Sequence, residues 1–323
     1  MQQKNNLTPN YFSYALYAVI LTALLFILFG SNGWGPAAEN EQAIGEISRW
    51  CERVSGGFFR EPVNTLGNLG FVITGLYMFY KLSKDATSSK GIFMFSSSSS
   101  LALLYATAST FLGPGSMAMH GTHTKFGAWL DNVSMVMYIL ILWIYNLKKL
   151  SRFNQKTFYF IYLSILIYFS IAYWNYGSGL GIGLDIFEVS IGLWLSTEVL
   201  VRYPNFYGRL SSGFVVLFVQ ELFGNRLIDV IQNPVDNWHI LFYFIPALTP
   251  NIETNIDIKR AYSPWFWLGF LSFYTAYTIW LTGVAGDPSC DPDSWLQAHM
   301  VWHLLCAVAT LSFFNFYRSE VTK

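Results

Sequence analysis

The chain reads SWLQAHMVWHLLCAVATLSFFNFY from Ser294 to Tyr317. That stretch is long and apolar enough to cross a bilayer as one helix. Its first turns carry His299 and His303, four residues apart and therefore on one helix face. Imidazoles are expensive inside a membrane segment, and their default role there is functional. Two such rings make half of a tetrahedral metal site. The other donors must come from elsewhere in the chain.

Composition sets the class. The 323 residues are 53% hydrophobic, 19% aromatic and 12% charged, against about 25% charged in an ordinary soluble chain. A polytopic membrane protein, all-α, is the expectation. The formal net charge is zero, so nothing suggests a nucleic-acid partner. Three cysteines do not make a disulfide scaffold. The first hydrophobic stretch, 11–30, has one upstream lysine and no small-residue cleavage site, so it reads as an anchor helix.

Further spanning helices are expected at about 61–81, 91–112, 128–147, 157–175, 181–201 and 265–281. The stretch 113–127 is expected to end the third helix of the chain. Region 202–263 holds two apolar runs, 211–223 and 238–249, both short for a crossing. They fit a hairpin, interfacial helices or a soluble insertion. Basic residues cluster at Lys81, Lys84 and Lys90, at Lys148, Lys149, Arg152 and Lys156, and at Arg318 and Lys323. Glutamates 39, 41, 46, 52 and 61, and Asp287, Asp291 and Asp293, fall in the other connections. The positive-inside rule then predicts eight spans with cytoplasmic N- and C-termini.

In that topology His120, His299 and His303 share one membrane level near the non-cytoplasmic face. Asp131 and Ser116 join them. Three neutral imidazoles with a water in the fourth position form a catalytic zinc arrangement. Asp131 is the candidate general base, or a partner that orients a ligand imidazole. Ser116 is the candidate oxyanion donor, with capping of its own turn as the plainer role. An apolar surround points to a membrane lipid as substrate. His123 and His239 gain no such support and read as ordinary loop or interface histidines. The His-x-x-x-His pair alone also fits a haem or an interhelical hydrogen bond.

These blocks carry a resemblance. Gly113-Pro114-Gly115-Ser116 through His120, then Asp131 eleven residues on, then His299 and His303, resemble the alkaline ceramidase family. That family belongs to the seven-helix membrane hydrolases that include the adiponectin and progestin receptors. Trp50-Cys51-Glu52, the EPVN of 61–64 and Asn68 are similar to its first helix and preceding loop. The resemblance covers roughly 50–323, interrupted by 202–263. It implies a seven-helix core over 50–323, with 1–49 as an added transmembrane helix and loop. It implies His120, His299 and His303 as zinc ligands, and Ser116 and Asp131 beside the attacking water. The reaction implied is hydrolysis of the amide of ceramide or a related N-acyl lipid.

The resemblance extends to a calcium site, for which Trp50, Glu52 and Glu61 match. Arg49, Val54 and a shorter Glu52–Glu61 spacing depart from the pattern, and calcium wants six to eight oxygen ligands. Arg49 or Arg53 pairing with Glu52 or Glu61 is the alternative. Cys51 and Cys290 both fall in outer loops, where an oxidising side permits a disulfide between them. Cys306 reads as packing. The competing function from another class is a receptor-like membrane protein with structural zinc and no turnover.

Overall fold

Asn10, Asn154, Asp185 and Asn205 each accept a hydrogen bond from the backbone N–H three residues on, at 3.1, 2.9, 3.0 and 2.9 Å. Each marks the start of a helix, because the first backbone donors of a helix have no partner within it. The computed structural model describes residues 10–39, 41–87, 95, 99–224, 227–248 and 258–322. Its helices are α1 (Tyr11–Gly30), α2 (Pro62–Gly67), α3 (Leu69–Thr87), α4 (Ser100–Thr122), α5 (Lys125–Ser151), α6 (Gln155–Tyr176), α7 (Ile186–Arg202), α8 (Phe206–Leu222), α9 (Leu227–Gln232), α10 (Trp265–Leu281) and α11 (Ala298–Arg318). A 3-10 helix covers Trp238–Leu248, and two short strands, β1 (Ile258–Lys259) and β2 (Val321–Thr322), pair antiparallel. The protein is thus all-α among the described residues.

Among the described residues, four helices are long and apolar enough to cross a membrane: α1, α5, α6 and α11. The helices α7, α8 and α10 have 17 residues each. Apolar side chains such as Leu24, Leu28 and Phe29 on α1 are more than half exposed, as expected of a surface that faces lipid. These features fit a membrane protein.

Two boundaries differ from expectation. The helix expected to stop near 112 continues through Pro114 and ends at Thr122, inside the 113–127 stretch. The expected helix at 61–81 is divided at Asn68, whose side-chain amide donates to the Asn64 carbonyl at 3.0 Å. Of the serine run at 96–100, Ser99 and Ser100 lie within the described residues; 96–98, Lys90 and Lys323 lie outside them.

Contacts divide the chain into two compact units, one of Met1–Ser134 with Ile258–Lys323 and one of Met135–Asp257. Within the first unit α1 packs on α3. In that unit α11 lies against α10, α3, α2 and α4. The Tyr105 hydroxyl of α4 donates to the Thr310 carbonyl of α11 at 2.7 Å. The buried Arg260–Glu320 pair, at 2.7 Å, fastens the β1–β2 end of the unit. A disulfide joins Cys51 to Cys290, with Cα atoms 5.6 Å apart.

In the second unit, Asn146 of α5 donates to Glu198 of α7 at 3.0 Å, and both are buried. The uncertain region is largely helical where described. Val216 of α8 packs with Ile240 and Tyr243 of the 3-10 helix, and Ser196 of α7 donates to the Tyr243 carbonyl at 2.8 Å. This segment therefore buries an apolar face on α7.

Candidate metal centre

The centre is built from both ends of the first unit's sequence. His299 and His303 sit in the first two turns of α11, and His120 in the last turn of α4. All three are buried. The Nε2 atom of His120 lies 3.1 Å from Nε2 of His299 and 3.3 Å from Nε2 of His303. Among the described residues this is the single group of three side chains placed to share a metal ion.

Two glycines explain how α4 reaches this position. A Cβ at Gly113 would lie 2.7 Å from Val72 and 3.0 Å from the Asn68 carbonyl oxygen. A Cβ at Gly115 would lie 2.6 Å from the Ser134 hydroxyl. The Gly-Pro-Gly segment thus lets α4 approach α3 on one side and the start of α5 on the other. Side chains in packed interiors leave no room for an added carbon at such distances.

The end of α4 is closed by the loop that precedes α2. The carbonyls of His120 and Gly121 have no partner further along α4, and they accept from the N–H groups of Glu61 and Arg60, each at 3.0 Å. This places Glu61 beside His120. Its Oε2 accepts from His120 Nδ1 at 2.8 Å and from the Asn64 amide at 2.8 Å, and its Oε1 accepts from His123 Nε2 at 2.7 Å. A carboxylate at Nδ1 holds the proton there and leaves Nε2 as a free lone pair. Burial raises the Glu61 carboxyl, but the charges and hydrogen bonds of His120 and His123 outweigh it and hold the group well below the usual carboxylate range.

The donor set fits a tetrahedral divalent metal. Zinc–nitrogen bonds of about 2.0–2.1 Å place two ligand nitrogens about 3.4 Å apart, close to the two spacings here. Three converging ring nitrogens cannot all satisfy one another by hydrogen bonds, because each needs a proton on one side and a lone pair on the other. One shared cation satisfies all three.

The structure brings the sequence-predicted residues together unevenly. Asp131, on α5, lies close enough to His120 for their charges to interact, and its carboxylate neighbours the Ser116 side chain. The buried Ser116 hydroxyl, however, makes no hydrogen bond among the described residues. Trp50 reaches the centre through its indole, which stacks on His299 with ring centroids 4.4 Å apart. Glu52 does something else: its oxygens accept from the N–H groups of Val63 and Asn64 at 2.7 and 2.8 Å and cap α2. Burial raises its carboxyl while those two amides oppose the rise. All four carboxylate oxygens of Glu52 and Glu61, the residues matched to a calcium site, therefore already accept protein hydrogen bonds. Arg53 pairs with Asp293 at 2.7 Å and not with either glutamate, and Arg49 lies over the Trp50 ring. His123 departs from an ordinary loop histidine by its bond to Glu61. His239 belongs to the second unit.

Sequence reasoning missed Glu61 as the partner of His120 and Trp50 as a stacking residue, and it read His123 as an ordinary loop or interface histidine without its bond to Glu61. No periodic pattern marks these residues, since all three stand outside regular helix. Neither a protein-family model nor a curated protein matches the chain.

Proposed function

We propose that the protein is a zinc-dependent membrane hydrolase that cleaves the amide of ceramide or a related N-acyl lipid, releasing a fatty acid and an amino lipid base. The reading rests on the buried convergence of His120, His299 and His303, with His120 held by Glu61. Zinc bound there would supply Lewis acidity at a carbonyl oxygen and an acidified water. Asp131 accepts the proton of the attacking water and returns it to the leaving amine. The Ser116 hydroxyl, buried and without a hydrogen bond among the described residues, donates to the oxygen on which charge develops. Glu61 keeps the His120 proton on Nδ1, so that Nε2 stays a ligand. The apolar helices hold the acyl chains, and the centre lies at the non-cytoplasmic end of the bundle with both termini cytoplasmic.

Zinc content and fatty acid release from a panel of lipid amides, for wild type and His299→Ala, test this directly. About one zinc per chain with release abolished in the variant is the expected result. Zinc without release from any lipid amide would instead favour a receptor-like protein with structural zinc.

A further inference from the structure

His123 ends α4 in the left-handed conformation, at φ 53° and ψ 29°. Glycine is the usual residue at such a helix end, because a Cβ is disfavoured there. The chain carries an imidazole at this position, and buries it almost completely, to 2% exposure. The left-handed turn carries the chain off the helix path and brings His123 Nε2 to 2.7 Å from Glu61 Oε1. On its other side, Nδ1 lies 3.7 Å from a carboxylate oxygen of Glu41. The His123 carbonyl accepts from the Ala38 N–H at 2.9 Å, which seats the preceding loop over the same turn.

We infer that His123 is a positioning residue for the metal centre. It holds one oxygen of Glu61, so that the other faces His120 Nδ1 and fixes the direction of the His120 ligand nitrogen. The inference rests on the three-histidine centre binding a metal. The line His123–Glu61–His120 thus runs from the end of α4, through Glu61 in the loop before α2, to Nδ1 of the His120 ring, through 2.7 and 2.8 Å contacts. Without His123, Glu61 keeps the Asn64 amide as its other side-chain partner and is free to rotate about it. Groups that orient a metal-ligating histidine typically change metal affinity about 10–100-fold when lost.

The test uses the full chain in detergent and three variants, His123→Ala, His123→Gly and His123→Gln. Zinc affinity is measured by competition with a chromophoric chelator, and the visible spectrum is recorded with cobalt in place of zinc. His123→Gly relieves the left-handed backbone, so a purely structural role predicts a stable protein with unchanged affinity. The expected result is affinity about 10–100-fold weaker in both the alanine and glycine variants, with shifted cobalt bands. His123→Gln, which keeps a donor toward Glu61, recovers most of the loss. Affinities of the glycine variant and wild type within about twofold would overturn the inference while leaving the metal centre intact. A glutamine variant no better than alanine would also overturn it. Wild type that binds no metal would overturn the metal centre and this inference together.

Discussion

The imidazole of His299 lies against the indole of Trp50, with 19° between the ring planes and 4.4 Å between their centroids. The two helices that meet at the candidate metal centre thus hold their histidines by different means. His120 has a carboxylate at Nδ1, whereas Nδ1 of His299 has no hydrogen-bond partner among the described residues. The indole of Trp50 covers one face of the His299 ring. Stacked aromatic pairs are worth about 0.5–1.5 kcal/mol beyond burial. Trp50→Ala should therefore weaken zinc binding roughly 3–10-fold, and Trp50→Phe should restore most of it. Equilibrium competition for zinc measures both.

Glu61 is expected to matter more. Removing the acceptor at His120 Nδ1 releases the tautomer and leaves two buried imidazoles without their partner. Glu61→Gln should lower zinc affinity by about 10–100-fold. The same competition assay decides it, and retention of wild-type affinity would show that His120 is oriented by its helix alone.

Asp131 and Ser116 should separate from the ligands in kind. Asp131→Asn should keep about one zinc per chain while lipid amide hydrolysis falls about 10²–10⁴-fold, as for loss of a general base. Ser116→Ala should cost about 10²–10³-fold in kcat if the hydroxyl donates to the developing oxyanion. Metal analysis on the same preparations distinguishes these losses from loss of the centre. Loss of zinc from Asp131→Asn would instead make Asp131 part of the metal-holding shell.

Tight approach of α4 to α5 predicts a packing defect. Gly115→Ala introduces a carbon 2.6 Å from the Ser134 hydroxyl and 3.2 Å from the Leu130 carbonyl oxygen. Overpacking of this kind costs about 1–3 kcal/mol. A lowered thermal midpoint of the purified protein is the readout, with Ser134→Gly in the same chain expected to relieve part of it.

The Cys51–Cys290 bond closes a loop of 239 residues and ties the segment before α2 to the one before α11. Loss of a native disulfide typically costs about 2–5 kcal/mol. Cys290→Ser should lower stability by that order and shift mobility on non-reducing gels. Unchanged mobility between wild type and variant would show that the bond is absent from the purified protein.

The amino-acid sequence by itself determined the helical class and the face on which His299 and His303 stand. Both follow from local rules: apolar length makes the helix, and a spacing of four puts the rings in register. It also marked His120, Asp131 and Ser116 and the two cysteines as candidates, through residue type and order along the chain. Only the tertiary structure decided what holds the centre. Glu61 lies 59 residues from His120, His299 is stacked by a residue from an irregular loop, and His123 is turned inward by one left-handed residue at the end of α4. It also showed α4 running on through Gly-Pro-Gly, because two missing side chains let neighbouring helices close on both sides. Periodicity registers neighbours along one helix. It carries no information about which loop residue will meet a histidine once several helices have packed, because that pairing depends on burial and hydrogen bonding between distant segments.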